Sequence, residues 1–186
     1  MIGYAMCGSF CTHGDSLEVL RLLLAKGYDV QPIMSDSVYN TDTRFHLAED
    51  LRCEVEILTG KKIIHTIFDA EPLGPSRPLD ALIISPCTGN TLAKLANGIT
   101  DTAVTMAAKA HLRCDRPLLI ALATNDAMSQ NLCNIGKLLN RKSTYFVPLR
   151  QDAPKSKPHS LVADFDETLE AFEAMMQGKQ LRPLFL

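Results

Sequence analysis

The stretch that most constrains the fold runs from Asp80 to Lys109 and reads DALIISPCTGNTLAKLANGITDTAVTMAAK. Its apolar block, Ala81–Ser85, predicts a buried strand. Pro86 has no backbone N–H, so we expect the hydrogen-bond ladder of that strand to end there. Thr88 is a suitable N-cap for a helix over Gly89–Asn97, because its side-chain oxygen can accept an N–H of the first turn. The stretch therefore predicts a strand, a polar loop and a helix, the repeating unit of α/β proteins.

A second helix is expected directly after the first. Gly98 is placed to end the first helix, because glycine readily adopts the left-handed conformation common at helix C-termini. Asp101 is a candidate cap for the next helix, Thr102–Leu112, which is apolar on most of its circumference. A helix that is apolar all round is normally buried. We expect part of that burial to come from another subunit.

The polar loop between the strand and the first helix is a candidate ligand site. It lies at the carboxyl end of a strand, and the following helix N-terminus offers unpaired N–H groups and a positive dipole end. Asn90 and Thr91 add short donors and acceptors. This chemistry suits a heteroaromatic ring with carbonyl groups, or a phosphate. The alternative is an ordinary turn in which threonine and asparagine only cap the helix.

The rest of the chain alternates between predicted strands and helices. Strands are expected over Ile2–Cys7, Asp29–Met34, Leu118–Leu122 and Thr144–Leu149, and helices from an Asp15/Glu18 capping box to Gly27, over Phe45–Leu58, over Gln130–Asn140 and over Leu161–Gln177. Residues 62–68 fit either a strand or a short helix, and residues 70–78, with three prolines, predict a loop. This alternation predicts one α/β domain over residues 1–186, a three-layer Rossmann-like fold whose mainly parallel sheet is covered by helices on both faces.

Composition excludes several classes of function. The net charge of −2 does not favour a nucleic-acid or anionic-membrane partner. The N-terminal sequence MIGYAMCGS has neither the basic region nor the long apolar region of a signal peptide. The six cysteines include no CxxC pair and no zinc-type spacing with histidine, which predicts a reducing cytoplasm and no metal site. Cys87 lies in the candidate ligand loop, where a helix N-terminus is expected to lower its pKa.

Three other polar stretches follow predicted strands. The first, GSFCTHG over residues 8–14, has glycine at both ends but is not the GxGxxG fingerprint of dinucleotide sites. Ser35 ends the second strand, with a simple turn role as the alternative. Thr124 and Asn125 follow the strand at Leu118–Leu122. Carboxyl ends of parallel strands meet at one edge of a sheet, so these loops are expected to lie close together.

The segment SPCTGNTLAKLANGITD resembles the motif of the homo-oligomeric flavin-containing cysteine decarboxylase family. The matching positions are Pro86, Asn90, Thr91, Ala93, Lys94, Ala96, Gly98 and Asp101. The resemblance implies an FMN cofactor and a homo-oligomer, a trimer or a multiple of trimers. The cofactor-binding residues that it implies are Gly8, Ser9, Ser35, Pro86, Cys87, Thr88, Gly89, Asn90, Thr91, Thr124 and Asn125.

Further segments, among them FVPLRQDAPKSKPHSLVA and the Thr43-Arg44-Phe45 triplet, resemble one branch of this family over nearly the whole chain. That branch implies one component of a two-subunit oxidoreductase in the mother cell of a spore-forming bacterium. The reaction is the oxidation of a dihydropyridine dicarboxylate to the aromatic dicarboxylate, with NAD(P) held by the partner subunit. The candidate cations for the substrate are Arg44, Arg150, Lys155 and Lys157. No catalytic base is assigned. The alternative is a non-catalytic module that scaffolds the partner or binds product.

The chain departs from the decarboxylases at two places. Those enzymes carry a catalytic histidine about fourteen residues before the motif proline, where this chain has Glu71-Pro72-Leu73. They also carry a Pro-x-Met-Asn-x-x-Met-Trp substrate clamp, of which Asn125 and Met128 alone stand in place. Cysteine decarboxylation is therefore not expected.

Overall fold

A seven-stranded sheet forms the centre of the computed structural model, which describes residues 1–186. The strands are β1 Ile2–Met6, β2 Val30–Met34, β3 Ala81–Cys87, β4 Leu118–Thr124, β5 Thr144–Phe146, β6 Leu149–Arg150 and β7 Leu161–Ala163. The first four are parallel in the order β2-β1-β3-β4. Strand β5 pairs in parallel with the first half of β4, and β7 pairs antiparallel with its last residues and carries β6 beyond it.

Helices cover this sheet and confirm the expected α/β class. They are α1 His13–Ala25, α2 Asp36–Asn40, α3 Ala48–Thr59, α4 Ile67–Ala70, α5 Gly89–Asn97, α6 Ala103–Leu112, α7 Leu132–Leu139 and α8 Thr168–Met176. Every residue of β1 and β3 is buried. Parallel strands buried on both faces read as continuous apolar runs, which is why these strands were recognisable from sequence. None of these helices combines the length and the apolar composition that a membrane span requires.

The central strand does not end where expected. Strand β3 continues through Pro86 to Cys87, and the proline only shifts its register against β4 between Ile84 and Cys87. The Pro86 carbonyl still accepts the backbone N–H of Cys7 at 3.1 Å, so the strand keeps its pairing on the β1 side. Predicting a strand end from the missing donor was wrong, because a proline removes one ladder bond without removing its carbonyl acceptor.

The C-terminal part of the chain also differs from expectation. Residues 161–163 form β7, not the start of a helix, and α8 begins only at Thr168 after a single 3-10 turn. The expected strand Thr144–Leu149 is divided into β5 and β6. Strand β7 finds its partner in the last residues of β4, with Ala123 opposite Val162. Such long-range pairing overrides local helix preference and is not visible in a local pattern.

Several helix starts were misplaced by a few residues. Helix α1 begins at His13, so the Asp15/Glu18 capping box does not exist. Helix α6 is capped by Thr102, whose hydroxyl accepts the N–H of Thr105, and not by Asp101. Two other helices are shorter than expected: α3 starts at Ala48 where Phe45 was expected, and α7 spans Leu132–Leu139.

The undecided segment 62–68 contains both a strand-like bridge, between Ile64 and Ile33, and the start of α4. The expected loop over residues 70–78 includes one 3-10 turn, Glu71–Leu73. Helix α6 is buried almost completely inside its own chain, with eight of its residues buried. Its apolar circumference therefore needs no second subunit to cover it.

Candidate functional site

A cleft of about 740 Å³ lies at the carboxyl edge of β1, β3 and β4. It brings together three of the polar loops expected there. Its lining includes the predicted cofactor residues Gly8, Ser9, Thr88, Gly89, Asn90, Thr124 and Asn125, together with Arg44 and Lys157. The volume falls within the range of about 300–1,000 Å³ that is typical of small-molecule sites.

The N-terminus of α5 forms one wall of the cleft. The Thr88 side chain accepts the N–H of Thr91 at 3.2 Å, which confirms the predicted cap, and Gly98 ends the helix with φ 71° as expected. Gly89 is packed so tightly that a Cβ there would lie 2.5 Å from the Thr124 hydroxyl. Only glycine allows this approach between the β3 and β4 loops.

A carboxylate that sequence reasoning missed lies behind this wall. Asp126 would lie 2.8 Å from a Cβ on Gly89, and it accepts the Thr124 hydroxyl at 2.6 Å. Asn131, which is buried, donates to both carboxylate oxygens at 2.9 and 3.0 Å. Asn134 in turn donates to the Asn131 oxygen at 2.9 Å. The Thr124 hydrogen bond, with a smaller contribution from Asn131, holds the pKa of Asp126 below its ordinary value.

The entrance to α1 forms the opposite end of the cleft and is built differently. A 3-10 turn over Phe10–Thr12 leads into the helix, and neither Ser9 nor Thr12 caps it through a side chain. A Cβ on Gly8 would lie 3.2 Å from the Ser37 hydroxyl, which places the end of β1 against the start of α2. No side chain caps this entrance, although the N–H groups of Thr12 and His13 donate to the backbone carbonyls of Ser9 and Phe10. The entrance also presents the hydroxyl of Ser9 to the cleft.

A pair of histidines supports this entrance from behind. The Nε2 atom of His13 donates to the Cys7 carbonyl at 2.9 Å, because a carbonyl can only accept. Its Nδ1 atom then accepts from Nε2 of His46 at 2.8 Å. Burial, the largest influence, lowers the pKa of His13 to about 4, so this ring is neutral near pH 7. The pair ties the loop before α3 to the first residue of α1.

Arg44 lies on that loop and lines the cleft. Its guanidinium sits over the Phe45 ring, 4.9 Å from the centroid, and has no carboxylate within 4 Å. Thr43 shapes the turn, since its N–H donates to the His46 carbonyl at 3.0 Å. Helix α3 begins at Ala48, so Arg44 lies on the loop before the helix.

The other three candidate cations are less well placed. Lys157 lines the cleft but is paired with Asp152 at 2.7 Å. Arg150 lies outside the cleft and pairs with Asp164 at 3.2 Å. Lys155 is exposed and does not line the cleft. The structure thus brings Arg44 and Lys157 to the candidate site and leaves the remaining two away from it.

Four predicted cofactor residues do not line the cleft. Pro86 and Cys87 are buried in β3, and Thr91 is buried with its hydroxyl donating to the Cys7 sulfur at 3.4 Å. Ser35 is also buried, and its hydroxyl is 3.0 Å from that of Ser37.

The expected activation of the Cys87 thiol was wrong. The thiol is completely buried in β3, and burial raises its pKa well above the ordinary value. Desolvation of the thiolate therefore outweighs any effect of the nearby helix N-terminus.

Other residues at the cleft were missed from sequence. The side chains of Phe10 and Phe45 supply apolar lining, and Asp152 lines the cleft on its outer side. Phe10 belongs to the GSFCTHG loop, so its position near the cleft could be predicted from sequence, but its role as apolar lining could not. Asp152 comes from the polar loop after β6, which β7 folds back towards β4. That approach could be predicted only from strand β7, which the sequence pattern did not reveal.

Comparison with known proteins places the chain in a class. The family model described as Flavoprotein matches residues 1–176, and the chain therefore belongs to the flavoprotein family. Within that family it is similar to the B subunit of dipicolinate synthase of Bacillus subtilis (strain 168). The identity is 40% over 185 residues, covering 100% of this chain and 92% of that protein.

Solved structures agree with this placement. The crystal structure of the dipicolinate synthase B subunit from Bacillus halodurans matches with a TM-score of 0.91 and 38% identity, covering 100% of this chain and 95% of that one. The FMN-dependent cysteine decarboxylase SpaF matches with a TM-score of 0.69 and 22% identity, covering 95% of each chain. At that identity the second match shows the shared fold alone.

Proposed function

We propose that this chain is the flavin-binding subunit of a dipicolinate synthase. It contributes to the oxidation of dihydrodipicolinate to dipicolinate, pyridine-2,6-dicarboxylate, during sporulation. The proposal rests on the similarity to the B subunits of two such enzymes over the whole chain. The observation that carries it is a single cleft with an uncapped helix entrance at one end and a glycine wall at the other.

The residues of the cleft fit FMN. At the α1 entrance, the hydroxyl of Ser9, which lines the cleft, and a helix start without a side-chain cap suit a phosphate, and the Ser37 hydroxyl lies beside Gly8. At the α5 wall, Asn90, Thr124 and Asn125 provide amide and hydroxyl groups for a heteroaromatic ring with carbonyls. Ser35 acts through Ser37, because its own hydroxyl is buried. A bound flavin supplies hydride-accepting chemistry at this place.

The remaining task of the chain is to hold a small dicarboxylate. The oxidation removes one hydride and one proton and leaves an aromatic ring, so it is chemically mild once the substrate is oriented. Arg44 is the primary candidate for a substrate carboxylate, because it lines the cleft without a carboxylate partner. Lys157 is the second, since a substrate carboxylate could exchange with Asp152.

A partner subunit is needed for turnover. Sustained oxidation requires an acceptor such as NAD(P), and the GSFCTHG loop lacks the glycine spacing that a dinucleotide pyrophosphate requires. Phe10 occupies the place in that loop where such a site needs a small residue, and it packs 5.3 Å from the His13 ring. The nicotinamide site is therefore proposed to lie on the A subunit of the synthase. This chain is proposed to form a homo-oligomer that works together with that subunit.

The test is reconstitution. The purified chain, dihydrodipicolinate and NAD(P) should give little dipicolinate until the A subunit is added, and the Asn90→Leu variant should remain folded and fail to support activity. Full activity from the chain alone would contradict the partner requirement. Full activity from the isolated A subunit, unchanged by this chain, would favour the alternative of a non-catalytic module. The missing decarboxylase histidine and clamp are the observations that keep this alternative open.

A further inference from the structure

The carboxylate of Asp126 does not line the cleft, but it lies close to the cleft and is fixed by several hydrogen bonds. It accepts three hydrogen bonds, one from Thr124 and two from the buried Asn131. The polar chain continues from Asn131 through Asn134 to Asn97, and Lys137 binds the Asn97 oxygen at 3.0 Å. Asn131 and Asn134 are the buried members of this network, and a satisfied network of this kind favours one arrangement of its side chains.

This carboxylate lies against Gly89, the first residue of α5. The N-terminus of a helix carries about half a positive charge, and a carboxylate there neutralises it. The α5 wall therefore attracts anions less than an ordinary helix N-terminus does. The remaining charges at the cleft are screened or paired: Arg44 and Asp15 are exposed, and Asp152 is paired with Lys157.

We propose that Asp126 is a positioning residue that, through Gly89 and Thr124, disfavours negative charge on the ring bound at the α5 wall. This inference rests on the proposed function, because it requires a flavin ring at that wall. Two-electron reduction places additional electron density on a flavin ring. A fixed carboxylate behind the wall should therefore weaken binding of the reduced ring relative to the oxidised one.

The test compares the midpoint potential of bound FMN in the wild-type chain and the Asp126→Asn variant, with dithionite as the reductant. The variant keeps an oxygen acceptor for Thr124 and loses the charge. It should favour reduced over oxidised FMN about tenfold more than the wild type, which for a two-electron couple is about 30 mV. Asp126→Ser offers a second neutral side chain if the first variant does not fold.

The matched control is Asp101→Asn, which changes the net charge equally. Asp101 pairs with Lys94 beyond the far end of α5, and the nine residues of that helix separate it from Gly89 by roughly 13 Å. FMN bound to this control variant should have the same midpoint potential as FMN bound to the wild type. An unchanged potential in the Asp126 variants, or an equal shift in the control, overturns the inference while leaving FMN binding intact. A wild-type chain that binds no FMN overturns the proposed function and this inference together.

Discussion

Helix α5 begins at one end of the cleft and helix α1 at the other, and the two helix N-termini are capped differently. At α5, Thr88 caps the helix and Asp126 lies against its first residue, so the positive end is occupied by side chains of the chain itself. At α1, neither Ser9 nor Thr12 caps, and the helix is entered through a 3-10 turn. The comparison teaches that a helix end left without a cap in an otherwise well-bonded fold is the better candidate for an anionic ligand.

The first prediction concerns the His13–His46 pair at the α1 entrance. The ordinary pKa of histidine is 6.5, whereas burial lowers that of His13 to about 4. The unfolded chain therefore takes up a proton first, and stability is fully present above pH 6.5 and is lost as the pH falls towards 4. For this residue the loss by pH 4.5 should be roughly 2–3 kcal/mol.

Urea unfolding at pH 7.5 and 4.5 measures this loss. The variant His13→Gln should lose less stability on acidification than the wild type, because it removes this proton uptake. His111, whose pKa is also lowered by burial, should still contribute its own part in both proteins. Equal acid losses in variant and wild type would contradict the assignment of this proton uptake to His13.

The second prediction concerns Arg44, on the loop that His46 ties to α1. If Arg44 binds a substrate carboxylate, Arg44→Ala should weaken dicarboxylate binding by about 2 kcal/mol, the scale of a lost charge-assisted hydrogen bond. FMN binding should barely change. Arg150→Ala is the matched control, because Arg150 lies outside the cleft and pairs with Asp164. An equal effect on FMN would assign Arg44 to the cofactor end of the cleft.

The third prediction separates the two helix ends directly. Thr88→Ala removes a cap and should cost about 1 kcal/mol of unfolding free energy. Ser9→Ala removes no cap, so it should leave stability nearly unchanged and weaken FMN binding instead. Denaturant unfolding and FMN titration of both variants provide the four values. If Ser9→Ala costs as much stability as Thr88→Ala, the α1 entrance is structurally capped and the comparison fails.

The same contrast explains how much the sequence could predict. The α5 end was predicted closely, because Thr88, Gly89 and Gly98 act through local rules of helix capping. The α1 end was misplaced, because Asp15 and Glu18 fit a capping rule that the chain does not use there. The long apolar strands were recognisable because burial on both faces leaves a continuous apolar run.

The features that escaped prediction depend on distant partners. Strand β7 exists because it pairs with the end of β4, and Asp126 reaches Gly89 only once β3 and β4 lie side by side. The His13–His46 contact joins residues 33 positions apart. None of these leaves a signal in a local window of sequence, since each residue alone suits an exposed loop equally well.

The central claim is that FMN binds in this cleft with its phosphate at the α1 entrance. Titration of the purified chain with FMN and with riboflavin, which differ only by the phosphate, tests it most directly. Two charge-assisted hydrogen bonds at about 1.5–3 kcal/mol each correspond to a preference of roughly a hundredfold or more. We therefore predict that FMN binds at least about a hundredfold more tightly than riboflavin. Equal affinity for the two, or no binding of either, would contradict the claim.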